Sequence, residues 1–412
     1  MARRYGRSIG VLIVSNLLGG VGVASGFAVG GLLAQDLGGT SMAGFAQACS
    51  TLGAAVAAVP LANVAARRGR RVSLSRGYAL ATVGALLIVA AALSGQIIVM
   101  LVGMGLFGVA QAVNLQTRYA GAENVSPASR ARAMSIVLWA TTVGAVAGPN
   151  LAAPGDRFGA GLSLPAFTGP FLFSVVSFAT AATVLALFFR PTTQPTPSQA
   201  EVDAADALPP VGAVAALRWA AGQPAALFAV VLIAVAHAVM VMVMVMTPVH
   251  MGNQGDTLQL VGIVISLHVL GMYALSPVFG WAVDRFGPVP VAMLGIVLQG
   301  SAVATGFVAA SGATSLTMVA LVLLGLGWSA AVIAGSALVT ALAPSHVRVP
   351  LQGATDAGMN YAGAAAAALA GPILAFGGFE AVNITAAVIL LPAVVLLPRA
   401  FRSGRLAKAP AA

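Results

Sequence analysis

The hydrophobic pattern of the chain is a series of long, unbroken apolar runs separated by short polar breaks, without the period-two alternation of a barrel strand. Each run has about the 20 residues a helix needs to cross a bilayer. Unbroken runs favour helices over barrel strands, and a helix satisfies its own backbone polar groups in lipid. Twelve spans are predicted, over 8–33, 41–66, 73–94, 96–117, 134–153, 167–189, 225–250, 258–283, 288–310, 316–343, 351–376 and 379–399. The longest polar break follows Phe189. It reads Arg190-Pro-Thr-Thr-Gln-Pro-Thr-Pro-Ser-Gln199, then brings Glu201, Asp203 and Asp206. A polar, Pro-rich stretch of this kind is a linker. The expected fold class is therefore an all-α membrane protein of twelve transmembrane helices, six on either side of this linker. The expected domains are 1–189, a cytoplasmic linker 190–224, and 225–412.

Composition sharpens this picture. The 412 residues are 59% hydrophobic and 7% charged, with a net charge of +10. On the twelve-span topology with the N-terminus inside, every one of the 20 cations except Arg157 falls on the cytoplasmic side. That asymmetry is the positive-inside rule. The basic loops are read as topology signals beside anionic lipid, and nucleic acid is not an expected partner. The expected location is the inner (cytoplasmic) membrane, multi-pass, with both termini cytoplasmic. Cys49 is the single cysteine, so no disulfide closes within the chain. The first apolar run is too long for a cleaved signal peptide and is read as a span.

The two halves repeat. The loop after span 2 reads Ala62-Asn-Val-Ala-Ala-Arg67-Arg-Gly69, and the loop after span 8 reads Gly280-Trp-Ala-Val-Asp284-Arg285-Phe-Gly287. Arg67 and Gly69 align with Arg285 and Gly287, and Pro127 aligns with Pro344 at nearly the same offset. The Gly280-x-x-x-Asp284-Arg285-x-Gly287 run resembles the short cytoplasmic loop motif of the major facilitator superfamily. The first copy departs from it, with Ala62 and Ala66 in place of Gly and Asp. The resemblance implies the major facilitator fold of two six-helix bundles, a central cavity lined mainly by spans 1, 2, 4, 5, 7, 8, 10 and 11, and alternating access by rocking one bundle against the other. Span 5 carries Gly144-x-x-x-Gly148-Pro149. This run is read as close helix packing, and it is similar to a run associated with antiporters of that superfamily.

Candidate chemistry gathers in spans 7 and 8. Val239 to Met251 holds five of the fourteen methionines. At about 100° per residue, Met240 and Met244 share a face with His237, while Met242 and Met246 point the other way beside His250. His268 and Met272, spaced i and i+4, share a face of the next helix. Counting inward at 1.5 Å per residue puts Met240 and His268 some 15 Å deep, where transporters bind their substrates. Thioether sulfur suits Cu(I), and imidazole suits copper generally. Against this stands plain core filling, for which Met is well suited. Met100 and Met104 repeat the spacing in span 4 without a histidine.

The M-x-x-x-M and H-x-x-x-M pairs resemble those of CcoA-type copper importers, which carry such pairs in these two spans and supply copper for assembly of cbb3-type cytochrome oxidase. The resemblance implies Met240, Met244, His268 and Met272 as metal ligands; His237 is a candidate fifth. Copper is then the transported substrate, with no resident cofactor, and periplasmic or cytoplasmic copper chaperones are candidate partners. Efflux of small organic molecules is the alternative. Asp356, the one carboxylate well inside a predicted span, is a candidate for proton coupling or for stabilising a helix N-terminus. Cys49 is a candidate relay thiol or a small core hydrophobe. No Ser–His–acid set and no phosphate loop appears, so an enzyme is not expected.

Overall fold

The computed structural model describes residues 2–123, 142–190 and 212–406. These residues form helices joined by tight turns, with no strand among them. The first four are α1 (Ala2–Gly38), α2 (Thr40–Arg68), α3 (Arg70–Ser94) and α4 (Ile97–Glu123). Residues 134–141 of predicted span 5 lie outside the described residues, as does Pro127. The rest of that span runs from 142 through a 3-10 turn at Gly148–Leu151, where Pro149 falls, into α5 (Ala152–Gly161). Helix α6 (Gly169–Phe188) closes the first half.

The second half opens with a short helix, α7 (Ala213–Ala221). It continues as α8 (Pro224–Asn253), α9 (Leu258–Tyr273), α10 (Ser276–Phe286), α11 (Pro288–Ala309), α12 (Thr314–Leu342) and α13 (Ser345–Leu406). Nine helical stretches are long and apolar enough to cross a membrane among the described residues. One of them, Pro350–Ala400, holds predicted spans 11 and 12, which part at Gly378 with φ 67°. Thr40–Arg68 and the span 5 segment complete the twelve.

Beside helix ends that run a few residues longer, such as α1 to Gly38 and α4 to Glu123, two departures from the sequence expectation change the picture. Span 5 continues as helix to Gly161 rather than ending at 153, so Asp156 and Arg157 lie on a helix. Span 8 is broken: α9 ends at Tyr273 and α10 begins at Ser276. Pro277 stands in the first turn of α10, where its missing N–H is harmless, and it cannot donate to the Tyr273 carbonyl as a continuous helix would require.

The repeat is written in the backbone. Gly69 has φ 84° and ψ 157°, and Gly287 has φ 88° and ψ 162°. Each donates its N–H to the carbonyl four residues back, Ala65 and Val283, and turns the chain into the next helix. Only glycine takes that positive φ without strain, which explains why the two loops agree at this position and not at Ala62/Gly280.

The helices pack as two units. One comprises Met1–Thr193, Met244–Leu270 and Ala367–Phe379; the other comprises Gln194–Val243, Gly271–Ala366 and Glu380–Ala412. In the first unit, Phe107 meets the edges of Phe171 and Phe178 at 5.8 and 5.2 Å. Tyr78 donates to the Ser15 carbonyl at 3.1 Å and pairs with Asn114. Glycines let helices touch: a Cβ on Gly44 would stand 2.7 Å from the Gly371 nitrogen, and one on Gly148 would stand 2.5 Å from the Ala24 side chain. Gly144 likewise faces the α1 backbone at Leu17 and Val21. The Gly144–Pro149 run thus makes the close packing expected of it. Ser8 donates to the Arg190 carbonyl at 3.0 Å, and Arg71 Nε donates to that of Ala186 at 2.7 Å. The start of span 1, the start of span 3 and the end of span 6 therefore lie at one end of the helices. In the second unit, Gln299 donates to the Ala236 carbonyl at 2.8 Å, tying α11 to α8.

Candidate functional site

Helix α8 carries His237, Met240, Met242, Met244 and Met246 within one regular helix, so Met240 and Met244 are one turn apart on one side, as expected. All of the run but Met244 is buried. Met240 is 3% exposed, Met242 and Met246 are fully buried, and Met244 is half-buried. Met244 is therefore the most open thioether of the four. Pro248 lies inside the same helix. It has no N–H to give the Met244 carbonyl, so the helix lacks a bond at that residue.

His268 and Met272 lie on α9, again one turn apart, and both are buried. Met272 falls in the last turn of α9, just before the break. The Ser276 hydroxyl reaches back to its carbonyl at 3.2 Å and meets the Ser329 hydroxyl at 3.2 Å. The C-terminal end of a helix carries partial negative charge and attracts cations. Broken helices of this kind frame cation sites in transporters. The sequence reading placed Met272 mid-span and missed this setting.

By unit, Met244 and His268 belong to the first, and His237, Met240 and Met272 to the second. Among the described residues no group of three or more His, Cys, Asp or Glu is placed to hold a metal. A metal site here would therefore depend on thioethers.

In the second unit, His237 has a partner that sequence reasoning missed. The Trp328 indole N–H donates to His237 Nδ1 at 3.1 Å, with the rings 6.2 Å apart and tilted by 49°. Tyr273 stands edge-on to Trp328 at 6.0 Å and 75°. Gly363 backs the imidazole: a Cβ there would lie 2.7 Å from Cδ2 and 2.9 Å from Nε2. The available signal was a single tryptophan in an otherwise aliphatic stretch of span 10.

The remaining candidates have other settings. His250 stacks on Phe379 in the first unit, with ring centroids 4.2 Å apart and planes 7° apart. Cys49 is half-buried and packs against the aromatic core of the first unit. Asp356 is exposed, and its carbonyl accepts from Asn360 at 2.8 Å. Val64, Arg67, Arg68 and Arg76 line a cavity of about 380 Å³ between the ends of α2 and α3.

Comparison with known proteins places this architecture. The model of the Major Facilitator Superfamily matches residues 11–258 and 228–411. The uncharacterised MFS-type transporter YddS of Bacillus subtilis is 35% identical over 401 residues, covering 95% of this chain and 91% of its own. The riboflavin transporter RfnT of Brucella anthropi is 26% identical over 400 residues, covering 96% of each chain. Among solved structures, a bacterial homolog of the human lysosomal transporter Spinster, inward-facing and unoccupied, aligns with a TM-score of 0.71 at 16% identity over 99% of both chains. The nucleoside transporter NupG aligns with a TM-score of 0.71 at 14% identity, covering 96% of this chain and 99% of its own. The repeated loop glycines, the helix pattern and these matches agree: the chain is a multi-pass membrane transporter and belongs to the Major Facilitator Superfamily.

Proposed function

We propose that this transporter imports copper across the cytoplasmic membrane by alternating access of its two six-helix halves, with both termini cytoplasmic. The observation that carries the reading is the pairing of soft donors one turn apart on two consecutive helices, Met240 with Met244 and His268 with Met272. The last-turn position of Met272 adds a favourable field for a cation. Thioethers hold Cu(I) without the tight cage that thiolates make, and a carrier must release its cargo. The imported copper would supply cytochrome oxidase assembly of the cbb3 type, received from or passed to copper chaperones. The test is uptake of radioactive copper by vesicles holding the purified protein. Wild type accumulates copper, and His268→Leu or Met272→Leu lowers accumulation at least tenfold, the effect of losing about 1.4 kcal/mol of binding. Wild-type vesicles that take up no more copper than empty ones reject the reading.

A second reading, transport of an organic solute, is favoured by the Trp328–His237–Tyr273 cluster. The description of RfnT as a riboflavin transporter also supports it. Riboflavin offered to the same vesicles separates the two.

A further inference from the structure

The Trp328–His237 hydrogen bond decides where the imidazole proton sits. An indole N–H only donates. His237 Nδ1, 3.1 Å from the Trp328 nitrogen, must therefore present a lone pair. A neutral imidazole carries one proton, so that proton is on Nε2. A metal ligand needs the opposite arrangement. The binding nitrogen must offer its lone pair, and the other nitrogen carries the proton and donates it to an acceptor. Bound through Nε2, His237 would aim an N–H at the indole N–H. Bound through Nδ1, it would give up the indole. Trp328 thus argues against His237 as a fifth copper ligand and makes it a hydrogen-bond donor.

We propose that His237, Trp328 and Tyr273 form a binding site in the second unit for a planar organic solute bearing a ring carbonyl or imine nitrogen, with His237 donating Nε2–H to that acceptor. The site rests on the second, organic-solute reading and not on copper. Its parts have the usual character of a small-molecule site, aromatic walls with a polar group in a fixed direction. Both rings of the Trp328–His237 pair are half-buried, and Tyr273 is 38% exposed. Gly363 lets the imidazole edge lie close against α13, since a Cβ there would stand 2.7 Å from Cδ2 and 2.9 Å from Nε2. Trp328 is a positioning residue for the imidazole as well as a wall.

The proposal is tested by titrating the purified protein in detergent with riboflavin, a planar carbonyl-bearing probe, and following the quenching of flavin fluorescence. Wild type quenches with saturation. His237→Phe removes the donor, and Trp328→Phe removes the group that sets the tautomer. Each weakens binding about tenfold, the scale of one lost hydrogen bond to a buried partner. His237→Gln keeps an N–H donor and loses less, and Gly363→Ala, whose Cβ would collide with the imidazole edge and displace the donor, loses as much as His237→Phe. Wild type that fails to quench, or His237→Phe and Trp328→Phe binding as tightly as wild type, overturns the proposal. So does a His237→Phe variant that loses Cu(I) affinity while riboflavin binding is untouched, because His237 is then a ligand. Riboflavin that binds at this site but does not accumulate in vesicles supports the site and overturns only the transport reading.

Discussion

Met240, Met242, Met244 and Met246 occupy alternate positions of one helix, and their importance for transport divides by face. Leucine matches methionine in volume and should cost under about 1.5 kcal/mol at any of the four. It cannot offer sulfur to a metal. Met240→Leu with Met244→Leu is therefore expected to abolish copper accumulation at normal protein level, and Met242→Leu with Met246→Leu to leave it intact. Equal accumulation in both double variants would identify the run as packing, in keeping with the burial of Met242 and Met246. The spacing of these donors was legible in the sequence because it follows from the helical period alone. The partner of His237 was not legible. Trp328 lies 91 residues away, and no local period links residues on different helices.

Apolar runs fix helices well and fix their interruptions poorly. Span 8 keeps its hydropathy through Ala274-Leu275-Ser276-Pro277-Val278, so its break at 274–275 leaves no trace in the pattern. Only Pro277 hinted at it, and Pro248 sits inside an unbroken helix with no such effect. The loop glycines were easier, since they recur at matching places in both halves. Their positive φ makes a further prediction. Gly287→Ala forces a Cβ into a positive-φ, extended conformation that is essentially open to glycine alone, at a cost of about 1–3 kcal/mol. A lowered unfolding temperature in detergent is the expected result. Gly280→Ala, inside α10 with open space and no positive φ, is the control and should unfold at or slightly above the wild-type temperature, because alanine favours a helix interior.

For the molecule as a whole, the charge asymmetry and the pairing of helix ends agree. Ser8 meets Arg190, and Arg71 meets Ala186, so the arginine-bearing turn between α2 and α3 lies at the same end as the start of span 1 and the end of span 6. A reporter enzyme inserted at Ala200 is expected to be active only in the cytoplasm. Periplasmic activity would defeat the orientation and the twelve-span count together. Family and fold were legible from span count, linker and repeated loop because each follows from the lipid environment and the duplicated pattern. The cargo is less legible, for the candidate donors are distributed over two packing units, three of them in one and two in the other.

The Ser8–Arg190 contact also bears on how such a chain arises. A six-helix segment whose two ends meet at the same face of the membrane can be copied in tandem, and the second copy inserts in the same sense as the first. The connector need not cross the bilayer. An odd number of helices would have required the copy to insert upside down. The twin glycine turns at 69 and 287, alike in φ and ψ though their neighbouring residues differ, fit such a tandem copy.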